Sequence, residues 1–105
     1  MKKRLISASV REFQIIKNGH PIATAVARVE EDTLTIEEIY VHPDHRGNGF
    51  AGRLLKAVID WGKFRGATAL RGELNPDKGC RDAASRLFQK HGIAIIGHSL
   101  FKDLR

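Results

Sequence analysis

The sequence predicts an α/β domain of the α+β kind, and three observations predict it. Residues 13–17 and 22–29 are apolar-rich segments joined across Asn18-Gly19, the strongest short hairpin signal. Residues 33–41 read as a strand that runs into a glycine-crowded turn and then into an amphipathic helix. A second amphipathic stretch, residues 81–91, stands between further short apolar runs. With 105 residues the chain supports one domain spanning 1–105, and 42% hydrophobic with 29% charged residues is an ordinary globular balance.

The elements follow in order. After the hairpin, Glu30-Glu31-Asp32 makes a turn. In the next strand Leu34, Ile36, Ile39 and Val41 are apolar, so the alternation slips at Glu37-Glu38, which predicts a bulge or a bend. From residue 50 to about residue 64, Ala51, Leu54, Leu55 and Val58 share one helical face, opposed by Arg53, Lys56, Asp60 and Lys63, and Gly66 ends the helix. Phe50, Trp61 and Phe64 recur at helical spacing and read as core or interface. Residues 67–74 read as a strand and Asn75-Pro76-Asp77-Lys78-Gly79 as a loop. Residues 81–91 read as a helix with Ala84, Leu87 and Phe88 inward and Gly92 as its C-cap, and strands over 93–96 and 99–102 finish the sheet.

The bulk properties narrow the class of protein. No apolar run approaches the ~20 residues of a membrane span, and Met1-Lys2-Lys3-Arg4-Leu5-Ile6 lacks a secretory apolar stretch, so a cytoplasmic protein away from the membrane is expected. A single cysteine, Cys80, excludes an internal disulfide and agrees with a reducing compartment. The net charge of +6 favours polyanionic partners, from nucleic acid to the phosphates of a nucleotide. The basic residues are spread along the chain, with Lys2-Lys3-Arg4 the tight run, and aromatics for base stacking are few, which argues against nucleic acid as the main partner. The five histidines show no metal-ligand spacing, and no metal is expected.

The junction Arg46-Gly47-Asn48-Gly49-Phe50-Ala51-Gly52-Arg53 is the candidate site. Glycines at 47, 49 and 52 allow backbone to approach a ligand where a Cβ would clash. The first amides of a helix lack intrahelical acceptors and sit at its positive end, so this segment presents donors to an anion, with Arg46 and Arg53 adding charge. A plain strand-to-helix connection has the same look, and the order strand, turn, helix raises the phosphate reading above it.

At these residues the chain resembles the GNAT superfamily of acyl-CoA-dependent N-acetyltransferases, whose signature is Arg or Gln, two residues, Gly, one residue, then Gly or Ala. Arg46, Gly49 and Ala51 fill it. The lead-in Glu37-Glu38-Ile39-Tyr40-Val41-His42-Pro43-Asp44-His45 and the following Leu54-Leu55 resemble that family's fourth strand and third helix. Ala84-Ser85-Arg86-Leu87-Phe88-Gln89-Lys90-His91-Gly92-Ile93 is similar to its fourth helix and exit. The resemblance implies a central mixed, mostly antiparallel sheet with two main helices and a V-shaped splay between the family's fourth and fifth strands. It implies acetyl-CoA as cosubstrate, with pantetheine along Ile39, Tyr40 and Val41, and the pyrophosphate on Arg46, Gly47, Asn48, Gly49, Phe50, Ala51 and Gly52. Asn75 would hydrogen-bond the pantetheine arm, and Phe88 would line the cofactor.

The implied reaction is direct transfer of an acetyl group to a primary amine: a small amine, a polyamine, or a protein lysine or N-terminus. It needs a neutral amine and a protonated leaving thiolate. Ile36-Glu37-Glu38-Ile39-Tyr40-Val41 looks like the corresponding strand of spermidine/spermine acetyltransferases, whose first acidic residue is the base, which makes Glu37 the candidate and Glu38 a weaker one. In a regular strand adjacent carboxylates point to opposite faces, so at most one should face a cleft. The acidic group of Glu30, Glu31, Asp32, Glu37 and Glu38 would favour a cationic acceptor. The family's usual acid is a tyrosine where this chain has Phe88, and its neighbouring asparagine is Arg81 here; phenylalanine donates no proton, so Ser85, Cys80 or water would have to serve. Tyr40 reads as a packing residue, and His42 and His45 flank the cradle. These departures keep a non-catalytic CoA-binding or regulatory module as the alternative. The usual family member also has a strand and two helices before the hairpin, walling the acceptor side. About ten residues precede Arg11, room for one strand, so that side is expected to be open to a large substrate or completed by a second copy.

Overall fold

Asn18 and Gly19 both hold positive φ, 53° and 78°, the backbone that a two-residue type I′ hairpin turn requires. In the computed structural model, which describes residues 8–73 and 81–105, this turn joins β1, Ser9–Lys17, to β2, His20–Glu30. β3, Thr33–Val41, a short 3₁₀ turn, Pro43–His45, and α1, Phe50–Phe64, follow; then come β4, Ala69–Glu73, α2, Arg81–Lys90, β5, Ala94–Ile96, and β6, Ser99–Asp103. The strands form one six-stranded sheet in the order β1-β2-β3-β4-β6-β5. Among the described residues only the β3 to β4 ladder is parallel. The expected class, a mixed and mostly antiparallel sheet with two helices, is the observed one.

Alternation decides what the helices cover. Ala23, Ala25, Ala27 and Val29 of β2 and Leu34 and Ile36 of β3 are buried beneath Leu54, Leu55, Val58 and Ile59 of α1. Small alanines let the helix lie close, and Gly62 removes the last obstacle: a Cβ there would stand 2.6 Å from the Leu34 Cδ2. Phe88 of α2 joins the same core with Leu70, Ile93, Leu100 and Leu104. Trp61 packs half-buried, edge to face, on Phe13 at 5.8 Å between ring centres. Phe64, read from spacing as core or interface, is 84% exposed, because it lies on the face of α1 opposite the buried Leu54, Leu55, Val58, Ile59 and Gly62. The other face of the sheet carries Thr24, Arg28, Thr35, Glu38 and Tyr40 by the same alternation, and none of them is buried.

Termini of elements follow local chemistry. Gly92 takes a positive φ of 77°, its amide bonds Gln89 O, and the Ile93 amide bonds Phe88 O at 2.9 Å, a Schellman closure of α2. Gly66, at φ 90°, turns the chain away from α1. β4 starts later than residue 67 because Ala67 and Thr68 spend their amides on Gly62 and Asp32 carbonyls in the connection. Leu74, the loop 75–79 and Cys80 lie outside the described residues. Among those described, no helix is long and apolar enough to cross a membrane.

Candidate functional site

The β3 to β4 ladder is short, pairing Thr33 with Ala69 through Ile36 with Gly72. At the next residue β3 bulges: Ile36 stands opposite Ala27 and Glu38 opposite Val26, leaving Glu37 as the extra residue. Among the described residues, β3 beyond it pairs with β2 and no longer with β4, which leaves an opening on that side of β3. The His42 amide donates to Ile22 O at 2.8 Å, which sets the parity of this ladder. In an antiparallel pair alternate residues turn to the partner, so Ile39 and Val41 direct N–H and C=O into the opening. The Val41 carbonyl accepts from Arg46 Nε at 3.0 Å, and that guanidinium lies 5.9 Å from the centre of the Tyr40 ring. Tyr40 is therefore a surface partner of Arg46, 43% exposed, and not a core packing residue.

At the mouth of the opening the chain turns into α1. Asp44 N donates to His42 Nδ1 at 3.2 Å and Asn48 Nδ2 to His45 O at 3.2 Å, closing the turn. Gly47 and Gly49 hold φ of 85° and 80°, where a side chain would be strained. Gly49 is the N-cap and offers no side-chain cap. The first backbone bond into the helix is Arg53 N to Gly49 O, 3.1 Å. The amides of Phe50, Ala51 and Gly52 precede that bond, and no backbone acceptor among the described residues takes them. The first turn holds no acidic residue, and Arg53 lies over Phe50 at 5.7 Å. A donor-rich, positive helix end thus faces the opening. Gly52 differs from the other two: its φ is ordinary, and a Cβ there would meet Leu87 at 3.6 Å and His91 at 3.7 Å, so its side faces α2.

The carboxylates do not alternate as a regular strand would have them. The bulge turns both Glu37 and Glu38 to the face opposite α1, and both are exposed. Glu37 Oε2 lies 3.3 Å from Arg28 Nη2, on that same face, while Arg28 Nε is buried without a partner. Phe88 is 7% exposed, and it packs within the core cluster. Ser85 is half-buried on α2. His45 stands 6.4 Å from Phe50 and 5.9 Å from His42, ring centre to ring centre. Asn75 and Cys80 lie outside the described residues. Asp103, whose carboxyl is held below its usual range by hydrogen bonds from the Arg105 side chain, pairs with Ala69 at the end of β4 away from Gly72.

One concavity escaped the sequence reading. About 340 Å³ opens between the outer edge of β1 and α1, lined by Arg11, Phe13, Ile15, Arg53, Leu54 and Ala57. Nothing in the sequence places residue 11 beside residue 53; the topology does.

The model of the acetyltransferase (GNAT) family matches residues 3–93. No curated protein matches the chain in sequence. Among solved structures, the chain is similar to an acetyltransferase from Bacillus cereus ATCC 14579, with 16% identity, a TM-score of 0.79, and 91% of this chain and 74% of that one covered. It is similar to an N-acetyltransferase from Staphylococcus aureus Mu50, with 21% identity, a TM-score of 0.74, and 90% and 67% covered. The ribosomal-protein-S18-alanine N-acetyltransferase from Escherichia coli is 26% identical, with a TM-score of 0.72 and 88% and 66% covered.

Proposed function

Because the chain belongs to the GNAT acetyltransferase family, we propose that it moves an acetyl group from acetyl-CoA directly to a primary amine. Family membership supports the acyl-CoA and the acyl transfer; the acceptor is read from this chain's own surface. The observation that carries the proposal is the end of the described β3–β4 pairing at Ile36 and Gly72, followed along the chain by a helix start whose Phe50, Ala51 and Gly52 amides have no backbone acceptor among the described residues. That geometry fits a long ligand with an anionic end. The outward N–H and C=O groups of Ile39 and Val41 would hold an amide-bearing arm, and residues 47–52 with Arg46 would hold a pyrophosphate.

When bound, acetyl-CoA supplies the thioester carbonyl that a neutral amine attacks. Glu37 takes the amine's proton, directly or through one water, and Arg28 fixes the carboxylate's orientation by their ion pair. Glu38 adds negative charge on the same face. The open sheet face carries Glu12, Glu30, Glu37, Glu38, Glu73 and Asp103 beside Arg28, Arg71, the Arg46 that lies at Tyr40 and the Arg105 that pairs with Asp103, a locally acidic surface on a chain of net charge +6. Such a face attracts a cationic acceptor: a polyamine, or a lysine or N-terminus on a basic polypeptide. The similarity to the Escherichia coli enzyme named for an alanine of ribosomal protein S18 supports an amine on a polypeptide. Ser85 or water returns the proton to the leaving thiolate, since Phe88 has none to give.

A thermal-shift titration with acetyl-CoA, followed by thiol release over a panel of polyamines, lysine peptides and basic proteins, tests this reading. Stabilisation with turnover on a cationic amine supports it. No stabilisation at millimolar acetyl-CoA removes the CoA reading altogether. Stabilisation without turnover on any amine favours the second reading, a CoA-binding module, which the burial of Phe88 at the family's tyrosine position supports.

A further inference from the structure

His91 follows the last residue of α2, and its ring lies against the first turn of α1. A Cβ on Gly52 would stand 3.7 Å from the His91 Cε1, so the ring covers the bare side of that glycine. The other contact of the ring fixes its tautomer. His91 Nδ1 lies 3.1 Å from the Leu87 carbonyl oxygen, one turn back. A carbonyl accepts and never donates, so Nδ1 carries the hydrogen and the neutral ring keeps its lone pair on Nε2. Cε1 is bonded to both nitrogens, which puts Nε2 one bond from the atom that faces Gly52. No hydrogen bond or ion pair takes Nε2 among the described residues.

Gly52 is the third residue of α1, and its amide is one of the three that find no backbone acceptor among the described residues. An anion that takes those amides comes to lie beside an imidazole whose open nitrogen can only accept, and which becomes a donor by gaining a proton. The elements around the ring offer such an imidazolium no counter-charge. α1 contributes Arg53, next to Gly52, and Lys56, which holds Asp60 at 3.0 Å. α2 contributes Lys90, and β5, packed on α2, carries no charged residue. β6 contributes Lys102, whose Nζ is 2.7 Å from where a Cβ on Gly92 would stand. The turn before α1 adds Arg46, with His42 and His45. The partner that an imidazolium lacks in the protein is one that a phosphate supplies.

We propose that His91 is a further cofactor-binding residue: as the pyrophosphate of acetyl-CoA settles on the first turn of α1, His91 Nε2 takes a proton from solvent and donates a charge-assisted hydrogen bond to a pyrophosphate oxygen. This rests on the CoA reading above and adds a proton to it. The complex holds one more proton than the free chain, so by linkage the affinity rises as pH falls through the histidine range and the gain is lost above it.

Isothermal titration of the full chain in buffers of differing ionisation enthalpy counts the protons taken up per ligand bound. The probe beside acetyl-CoA is 3′-dephospho-CoA, which keeps the pyrophosphate and lacks the phosphate monoester that itself titrates at about pH 6. The wild-type chain is expected to take up protons with the probe and to bind it about threefold or more tightly at pH 6 than at pH 8. His91→Gln should show neither uptake nor pH dependence. His91→Lys, charged throughout, should bind at pH 8 about as tightly as the wild type at pH 6, again without uptake. His42→Gln and His45→Gln should keep the uptake. Binding without uptake in the wild type, or uptake that survives in His91→Gln or vanishes with His42 or His45 instead, overturns the proposal and leaves the CoA reading standing. Absence of binding by acetyl-CoA and by the probe removes both. Circular dichroism checks the fold of each variant, and if His91→Gln unfolds, retained uptake in His91→Lys overturns the proposal equally.

Discussion

Gly72 stands so close to Ile36 that a Cβ on it would lie 3.3 Å from the Ile36 carbonyl oxygen. This pair is also the last at which β3 and β4 are joined. The bulge at Glu37 begins one residue later, so the hinge of the proposed cofactor opening is a glycine held against a backbone that cannot step aside. Gly72→Val places methyl groups against Ile36 and Leu100 and should lower stability by about 1–3 kcal/mol. Urea unfolding measures that cost. An unchanged midpoint would show that β4 yields more easily than its contacts suggest.

Gly49 and Gly52 sit in one cradle and should answer alanine oppositely. At Gly49 there is open space but a φ of 80°, so Gly49→Ala costs about 1–2 kcal/mol of conformational strain and, by turning the N-cap, weakens acetyl-CoA binding. At Gly52 the new methyl makes ordinary contact with Leu87 and His91 in a helix, so Gly52→Ala should hold or raise stability by up to about 1 kcal/mol. Thermal melts with and without acetyl-CoA give both numbers.

Gly62→Ala tests the packing of α1. The methyl would meet Leu34, which is fully buried, at 2.6 Å. The overpacking cost of about 1–3 kcal/mol exceeds the roughly 1 kcal/mol that alanine gains in a helix interior. The melting temperature should fall by several degrees, about 4–8 °C per kcal/mol for a domain of this size.

The two carboxylates are separated by kinetics. Glu37→Gln should lower kcat by about 10²-fold or more while leaving the KM for acetyl-CoA unchanged. Glu38→Gln should change kcat little and raise the KM of a cationic acceptor, an effect that fades as salt is added. Equal losses in the two variants would reassign the base.

Arg28 is expected to act through Glu37. Arg28→Met keeps the length of the side chain but frees the carboxylate, so kcat should fall, though less than in Glu37→Gln, while the KM for acetyl-CoA holds. An unchanged kcat, with a lower melting temperature alone, would make Arg28 a structural residue only.

Much of this molecule was legible in its sequence because local rules carried it. Asn18-Gly19 sets the hairpin and Gly92 closes α2. The doubled acidic pair marks the bulge in β3, and the apolar spacing of Leu54, Leu55 and Val58 marks α1. The cradle was legible for the same reason: Arg46 to Gly52 is one continuous run whose chemistry is backbone chemistry. What local rules could not show is which way side chains turn once a strand is interrupted. The bulge that the sequence marked also turns Glu37 and Glu38 to one face, against the expectation of alternation.

The sequence by itself determined the elements, the bulge, the glycine turn and the family, because each rests on residues within a few positions of one another. Only the tertiary structure decided that β3 and β4 part at Ile36 and Gly72, that Phe88 is sealed in the core, and that Arg28 reaches Glu37. Those facts depend on strand register and on helices laid across the sheet, and register is set by how the whole core packs.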